Sequence, residues 1–130
     1  MLFRKHSTVR VIACTCLKAG SKYYYKVRAF KKVNGKKVYS AYSDIKSMLT
    51  KPAAPTGFTV TLKSRTAKIS WSKVKGAQGY EVYMANSRNG SYTRIKNTGA
   101  STTSYNKTGL TKGKKYYFKM RAYTKTGTGV

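Results

Sequence analysis

One stretch of 14 residues recurs in this chain. Leu17-Lys-Ala-Gly-Ser-Lys-Tyr-Tyr-Tyr-Lys-Val-Arg-Ala-Phe30 aligns without gaps on Leu110-Thr-Lys-Gly-Lys-Lys-Tyr-Tyr-Phe-Lys-Met-Arg-Ala-Tyr123 and is identical at eight positions. Three further positions exchange like for like: Tyr25/Phe118, Val27/Met120 and Phe30/Tyr123. The offset, from Tyr23 to Tyr116, is 93 residues. Solenoid repeats run to about 20–45 residues. A period near 100 instead suits one whole two-sheet sandwich per repeat.

Each copy alternates with period two, the signature of a half-buried strand. Tyr116, Phe118, Met120 and Ala122 share one face, and Tyr117, Lys119, Arg121 and Tyr123 the other. The same split predicts that Tyr23, Tyr25, Val27 and Ala29 point inward. Phe58, Val60 and Leu62 alternate with threonines. Ala67, Ile69 and Trp71 alternate with Lys68 and Ser70, and Tyr80, Val82 and Met84 with Glu81 and Tyr83. Turn signals separate these runs at Lys75-Gly76, Asn89-Gly90, Thr98-Gly99, Gly109 and Gly113. Asn34-Gly35 lies between Phe30–Val33 and Lys36–Tyr39, a strong two-residue hairpin signal. No helical period is present, so the chain reads as all-β. Lys51-Pro-Ala-Ala-Pro55 reads as a short stiff linker.

Several residues together resemble fibronectin type III repeats, in the lysine- and tyrosine-rich style of bacterial cell-surface and secreted proteins. They are Pro55 before a first strand, Trp71 on the second, Tyr80 on the third, and Leu110-x-x-Gly113-x-x-Tyr116 opening the sixth. The resemblance implies an immunoglobulin-like β-sandwich with Trp71 as core tryptophan. It also implies a tyrosine corner at Tyr116, its hydroxyl bonded back to nearby backbone. Leu17, Gly20 and Tyr23 repeat that corner, and Tyr39–Ser43 resembles a last strand. The implied division is an atypical leader (1–16), the last two strands of a truncated module (17–50), a linker (51–56) and a module lacking its last strand (57–130). Residues 49–56 reach about 26 Å at roughly 3.3 Å each. A ten-residue sandwich strand is about 33 Å long. The reach falls slightly short, so a partly frayed hairpin is expected beside a six-stranded module.

Charge narrows the partners. The chain has 28 Lys and Arg against two acids, Asp44 and Glu81, a net charge of +26. With so few acids, salt bridges are not expected to organise the fold. Polyanions are the natural partners: cell-wall polymers, acidic polysaccharide, nucleic acid or anionic membrane. No apolar run approaches the roughly 20 residues that span a bilayer. Val11-Ile-Ala-Cys14 faintly resembles a lipoprotein box, but Arg10 interrupts an apolar stretch too short for a signal peptide of about 7–15 apolar residues.

Catalytic chemistry has little to use. Asp44 and Glu81 fall in different modules, and His6 stands alone in the leader. Cys14 and Cys16, with His6, fall short of the four ligands of a structural zinc site. Gly127-Thr-Gly129 lacks the rest of a phosphate loop. No catalytic, metal or cofactor residues are assigned. Asn89-Gly-Ser91 and Asn106-Lys-Thr108 are glycosylation sequons in a glycosylating source. Arg-Gly-Asp is absent.

The binding candidate is the outward face of Tyr117, Lys119, Arg121 and Tyr123, joined by Tyr83 if the family's strand order holds. Rings beside cations suit acidic sugars and also single-stranded nucleic acid. The same residue types equally serve as a solvated strand face. The favoured reading is a non-catalytic extracellular spacer or adhesion module set among neighbouring modules of a longer chain. Its rivals are an accessory module of a carbohydrate-active enzyme or peptidase, and a basic nucleic-acid-binding β-protein.

Overall fold

A computed structural model describes residues 13–125. His6, Gly127-Thr-Gly129 and all of the leader except 13–16 lie outside the described residues. Cys14 and Cys16 are exposed free thiols.

The described residues form strands and no helix. In chain order the strands are β1 (Lys22–Tyr25), β2 (Phe30–Val33), β3 (Lys36–Tyr39), β4 (Lys46–Leu49), β5 (Thr59–Lys63), β6 (Thr66–Ser70), β7 (Gly79–Ala85), β8 (Thr93–Gly99), β9 (Ser104–Lys107) and β10 (Tyr117–Tyr123). The sheet β5-β6-β9 packs on the sheet β10-β7-β8, and every pairing is antiparallel. This is an immunoglobulin-like sandwich.

Its core follows from the alternation. Ala67 and Ile69 are buried while Lys68 between them is exposed. Ile69, Trp71, Tyr80 and Val82 form the centre, with Phe58, Ile95, Tyr105, Phe118, Met120 and Ala122 against it. Trp71 and Tyr80 meet at 5.4 Å between ring centroids, tilted by 57°. Tyr80 is fully buried, and its hydroxyl accepts the Val74 N–H at 2.8 Å. Each such side chain contributes roughly 1.5–3 kcal/mol by leaving water.

The repeated corner is present twice. The Tyr116 hydroxyl accepts the Thr111 N–H at 3.1 Å, and the Tyr23 hydroxyl accepts the Lys18 N–H at 2.8 Å. Leu110 is buried, and Gly113 takes φ +76° in the turn between them.

Residues 17–50 form one long hairpin. β2 pairs with β3 and β1 with β4. Asn34 and Gly35 both have positive φ (49° and 77°), which gives the tight turn a twist matching the strands. Between the two ladders, serine hydroxyls stand in for carbonyls. The Ala29 N–H donates to Ser40 Oγ and the Val27 N–H to Ser43 Oγ. The hairpin abuts the sandwich where Gly20 meets Gly76, backbone on backbone, with no room for a Cβ on either.

Two inward assignments do not hold. In the hairpin, Val27 is 70% exposed and Tyr25, Phe30 and Met48 are also exposed, because among the described residues no second sheet covers that face. In the sandwich, Val60 and Leu62 are exposed although Phe58 joins the core. Lys96 of β8 reaches the Tyr105 ring of β9, which places β8 and β9 on one side of the sandwich. β5 and β10 are then the strands at the other side, and no described strand lies beyond β10 to face β5.

Candidate functional site

The outer face of β10-β7-β8 collects the predicted residues. Register sets Tyr117 opposite Ala85, Lys119 opposite Tyr83, Arg121 opposite Glu81 and Tyr123 opposite Gly79. Facing side chains on adjacent strands are near neighbours, so Tyr83, Lys119 and Arg121 come together. Tyr117 and Tyr123 lie on either side of them. Tyr123 lies over Gly79, where a Cβ would stand 2.5 Å from its hydroxyl.

Glu81 is the centre of this face. The alternation puts Glu81 on the outward side, and so few acids predict no organising part for salt bridges. Instead its side chain is only 10% exposed and is held by two arginines. Arg94 Nη1 donates to Oε1, and Arg121 Nε donates to Oε2, both at 2.6 Å. The Tyr83 hydroxyl donates to Oε2 at 2.7 Å. The bond from Tyr83 and that from Arg121 lower the Glu81 carboxyl from 4.5 to about 2, against a smaller opposing effect of burial. The same bond raises the Tyr83 phenol and the same contacts raise Arg121. A sparsely acidic chain thus uses one of its two carboxylates as a structural anchor.

Beside the anchor lies a cleft of about 320 Å³ lined by Tyr83, Gly90, Tyr92, Lys119, Met120 and Arg121. Lys119 Nζ stands 4.1 Å from the Tyr92 ring centroid and 5.9 Å from that of Tyr83. Arg121 lies 5.6 Å from the Tyr83 ring. Three cations and one carboxylate leave the site with a net positive charge. Its walls are two aromatic rings, and two of the cations, Lys119 and Arg121, lie on β10 at one side of the sheet. That arrangement suits a flat ring carrying an acidic group, by ring stacking plus charge.

Tyr83, Lys119 and Arg121 come together at the cleft, and sequence reasoning does not single out Tyr92, Gly90 or Arg94. Tyr117 and Tyr123 do not line the cleft. Tyr92 precedes β8 in irregular chain, where no periodicity marks it. Arg94 faces Tyr83 because the β7–β8 register shifts between Val82 and Tyr83. Asp44 is exposed in the irregular stretch between β3 and β4, outside the sheet that carries Glu81.

A sandwich with a tyrosine corner, a core tryptophan and an outward aromatic–cation face defines an immunoglobulin-like module. Residues 53–130 match the family described as "Fibronectin type III domain", and the chain belongs to that family. Domains of this family are in general non-catalytic modules. Two bacterial relatives are each 32% identical over 85 residues, 65% of this chain: amylopullulanases of Thermoanaerobacterium saccharolyticum and Thermoanaerobacterium thermosulfurigenes. The chain spans 7% and 4% of their lengths. A crystal structure of an Fn3-like protein from Clostridium thermocellum is 38% identical, with a TM-score of 0.50 over 55% of this chain and 75% of that chain. Among the described residues, no helix is long and apolar enough to cross a membrane.

Proposed function

We propose that the chain is a non-catalytic extracellular spacer or adhesion module whose outer face holds anionic polysaccharide or cell-wall polymer. The observation that supports this reading is the cleft in which Lys119 stands between the Tyr83 and Tyr92 rings. The Gly20–Gly76 contact, with no side chain between hairpin and sandwich, suits a module that sets spacing along a longer chain.

A second reading, an accessory module of a polysaccharide-acting enzyme, draws on the amylopullulanase relatives. The two differ in what the cleft takes. Titration with an acidic polysaccharide, a neutral glucan and single-stranded DNA across a salt series separates them. The acidic polymer is expected to bind with an affinity that falls as salt rises. Tyr92→Ala should weaken it by about two- to five-fold, the worth of an exposed ring–cation contact, and Lys119→Ala should also flatten the salt dependence. Salt-insensitive binding of the neutral glucan favours the accessory role. Equal binding of DNA and polysaccharide, unchanged by Tyr92→Ala, sinks the cleft and leaves only net charge.

A further inference from the structure

The hairpin carries a row of rings and cations of its own, and the serines of Tyr39-Ser-Ala-Tyr-Ser43 set its order. The Ser43 N–H donates to the Val27 carbonyl at 2.7 Å, and its Oγ accepts the Val27 N–H at 3.0 Å. Ser40 holds Ala29 in the same way, at 3.0 and 2.9 Å. Val27 and Ala29 are two positions apart, whereas Ser40 and Ser43 are three apart. The returning segment thus carries one extra residue, as a bulge does. In a regular strand Tyr39 and Tyr42 would point to opposite faces. The extra residue turns both towards Arg28.

The Arg28 guanidinium carbon stands 3.6 Å from the Tyr39 ring centroid and 4.8 Å from that of Tyr42. Lys26 Nζ lies 3.9 Å from the Tyr42 centroid, and Lys37 Nζ 4.7 Å from that of Phe30. Lys26 and Arg28 are the counterparts of Lys119 and Arg121, which lie on the outer face of the sandwich with a second sheet packed behind them. The row is therefore on the side that a packed sheet leaves to solvent, and Tyr39 and Tyr42 are both exposed.

We infer that this row is a second anion site, which takes the carboxylate or sulfate groups of an acidic polysaccharide on the rim of Arg28. It stands apart from the cleft beside Glu81 and does not rest on it. At 3.6 Å a ring and a guanidinium meet face to face. The N–H donors lie in the guanidinium plane and stay free at its rim, in a fork that matches an oxyanion. The rings fix that fork before the ligand arrives, so less side-chain freedom is lost on binding. In the second copy the matching arginine is held otherwise, since Arg121 donates to Glu81. Among the described residues both salt bridges are to Glu81, so Lys26, Arg28 and Lys37 keep their full charge. A single-stranded nucleic acid would draw on ring faces for base stacking. Here cations already lie over Tyr39 and Tyr42, and the acidic group itself is what the row recognises.

Arg28→Lys tests the fork against charge, because the net charge stays at +26. Heparin as the sulfated probe, polygalacturonate as the carboxylated one, and single-stranded DNA are each titrated into the 130-residue chain by calorimetry at fixed salt. A loss of about three- to ten-fold is expected for one or both polysaccharides, and the one that loses more identifies the group. Tyr42→Leu keeps both cations and removes the ring they share, and should weaken binding by about two- to five-fold. Both losses are expected again in a Tyr92→Ala background, which separates this row from the cleft. Amide exchange at Val27 and Ala29 reports whether the hairpin is intact. Unchanged polysaccharide affinity in Arg28→Lys overturns the inference. So does a loss that comes with faster exchange at those two amides, which makes Arg28 a structural residue of the hairpin. An equal loss for DNA overturns it as well, since the row is then a general charge patch, and so does disappearance of the losses in the Tyr92→Ala background.

Discussion

Leu17–Phe30 and Leu110–Tyr123 share eight of 14 residues and the same corner hydrogen bond, yet Val27 is 70% exposed where its counterpart Met120 packs against the core. The corner is shared; what differs is the opposing sheet. In the second copy β5-β6-β9 stands across from the strand, and in the first no described sheet does. Alternation thus specifies which face could be buried, and burial itself depends on a partner far away in sequence. The outward residues show the same dependence. Lys26 lies 3.9 Å from the Tyr42 ring and Arg28 3.6 Å from that of Tyr39, while their counterparts Lys119 and Arg121 engage Tyr92, Tyr83 and Glu81. Both copies lay cations over rings, but only the second brings a carboxylate to them.

The sharpest break in the comparison comes from truncating a core ring. Tyr80→Ala removes a fully buried side chain and leaves the Val74 N–H without its partner. A loss of about 3–5 kcal/mol is expected for the sandwich. Val27→Ala, in the uncovered copy, should change stability by no more than about 0.5 kcal/mol. Urea unfolding followed by Trp71 fluorescence measures both. Equal effects would mean that the hairpin face is buried in solution.

Much of the fold was legible because its signals are local. The Asn34-Gly35 turn, the Ala67-Ile69-Trp71 alternation and the two corners each lie within a few residues of chain. Val60 and Leu62 show why the rest was not. Their alternation with threonines is that of a buried face, but among the described residues no strand faces them across the sandwich. The site divides in the same way. Tyr83, Lys119 and Arg121 follow from strand parity. Arg94 depends on a register shift in β7–β8, and Tyr92 on how an irregular segment returns to β10. Charge counting misjudged Glu81, since scarcity of acids does not prevent one from being gripped by two arginines.

That anchor gives the next effect in size, and it exists only in the second copy. Glu81 has a folded-state value of about 2 against an ordinary 4.5. A lowered carboxyl favours the folded state above 4.5, and the contribution is lost as pH falls from there towards 2. Arg94 and Arg121 are each more than half exposed, so solvent screening reduces the gain. Between an exposed ion pair and a hydrogen bond to a buried charge, Glu81→Gln is expected to cost about 1–2 kcal/mol at neutral pH. It should also flatten the acid limb of the stability profile between those two values. Circular dichroism melts from pH 7 to 2 would show the wild type and the variant converging at the acid end. Parallel curves would mean that the carboxylate is not held as described.

The smallest effect is also the closest test of likeness between the copies. Tyr116→Phe removes the hydroxyl that accepts the Thr111 N–H, and Tyr23→Phe the one that accepts the Lys18 N–H. An intramolecular hydrogen bond contributes about 1 kcal/mol net, and less where water can replace the lost partner. Thr111 and Lys18 are both exposed, so water can satisfy either freed N–H. What separates the corners is what they fasten. Tyr116 leads into β10, which packs on the core, so loosening it works against the cooperative unit. Tyr23 fastens a hairpin whose opening leaves that core intact. Tyr116→Phe should therefore lower the sandwich's unfolding free energy by about 0.5–1 kcal/mol. Tyr23→Phe should leave it unchanged and instead speed amide exchange at Lys18 and across β1–β4. Slower or unchanged exchange there would show that the first corner does not fasten the hairpin.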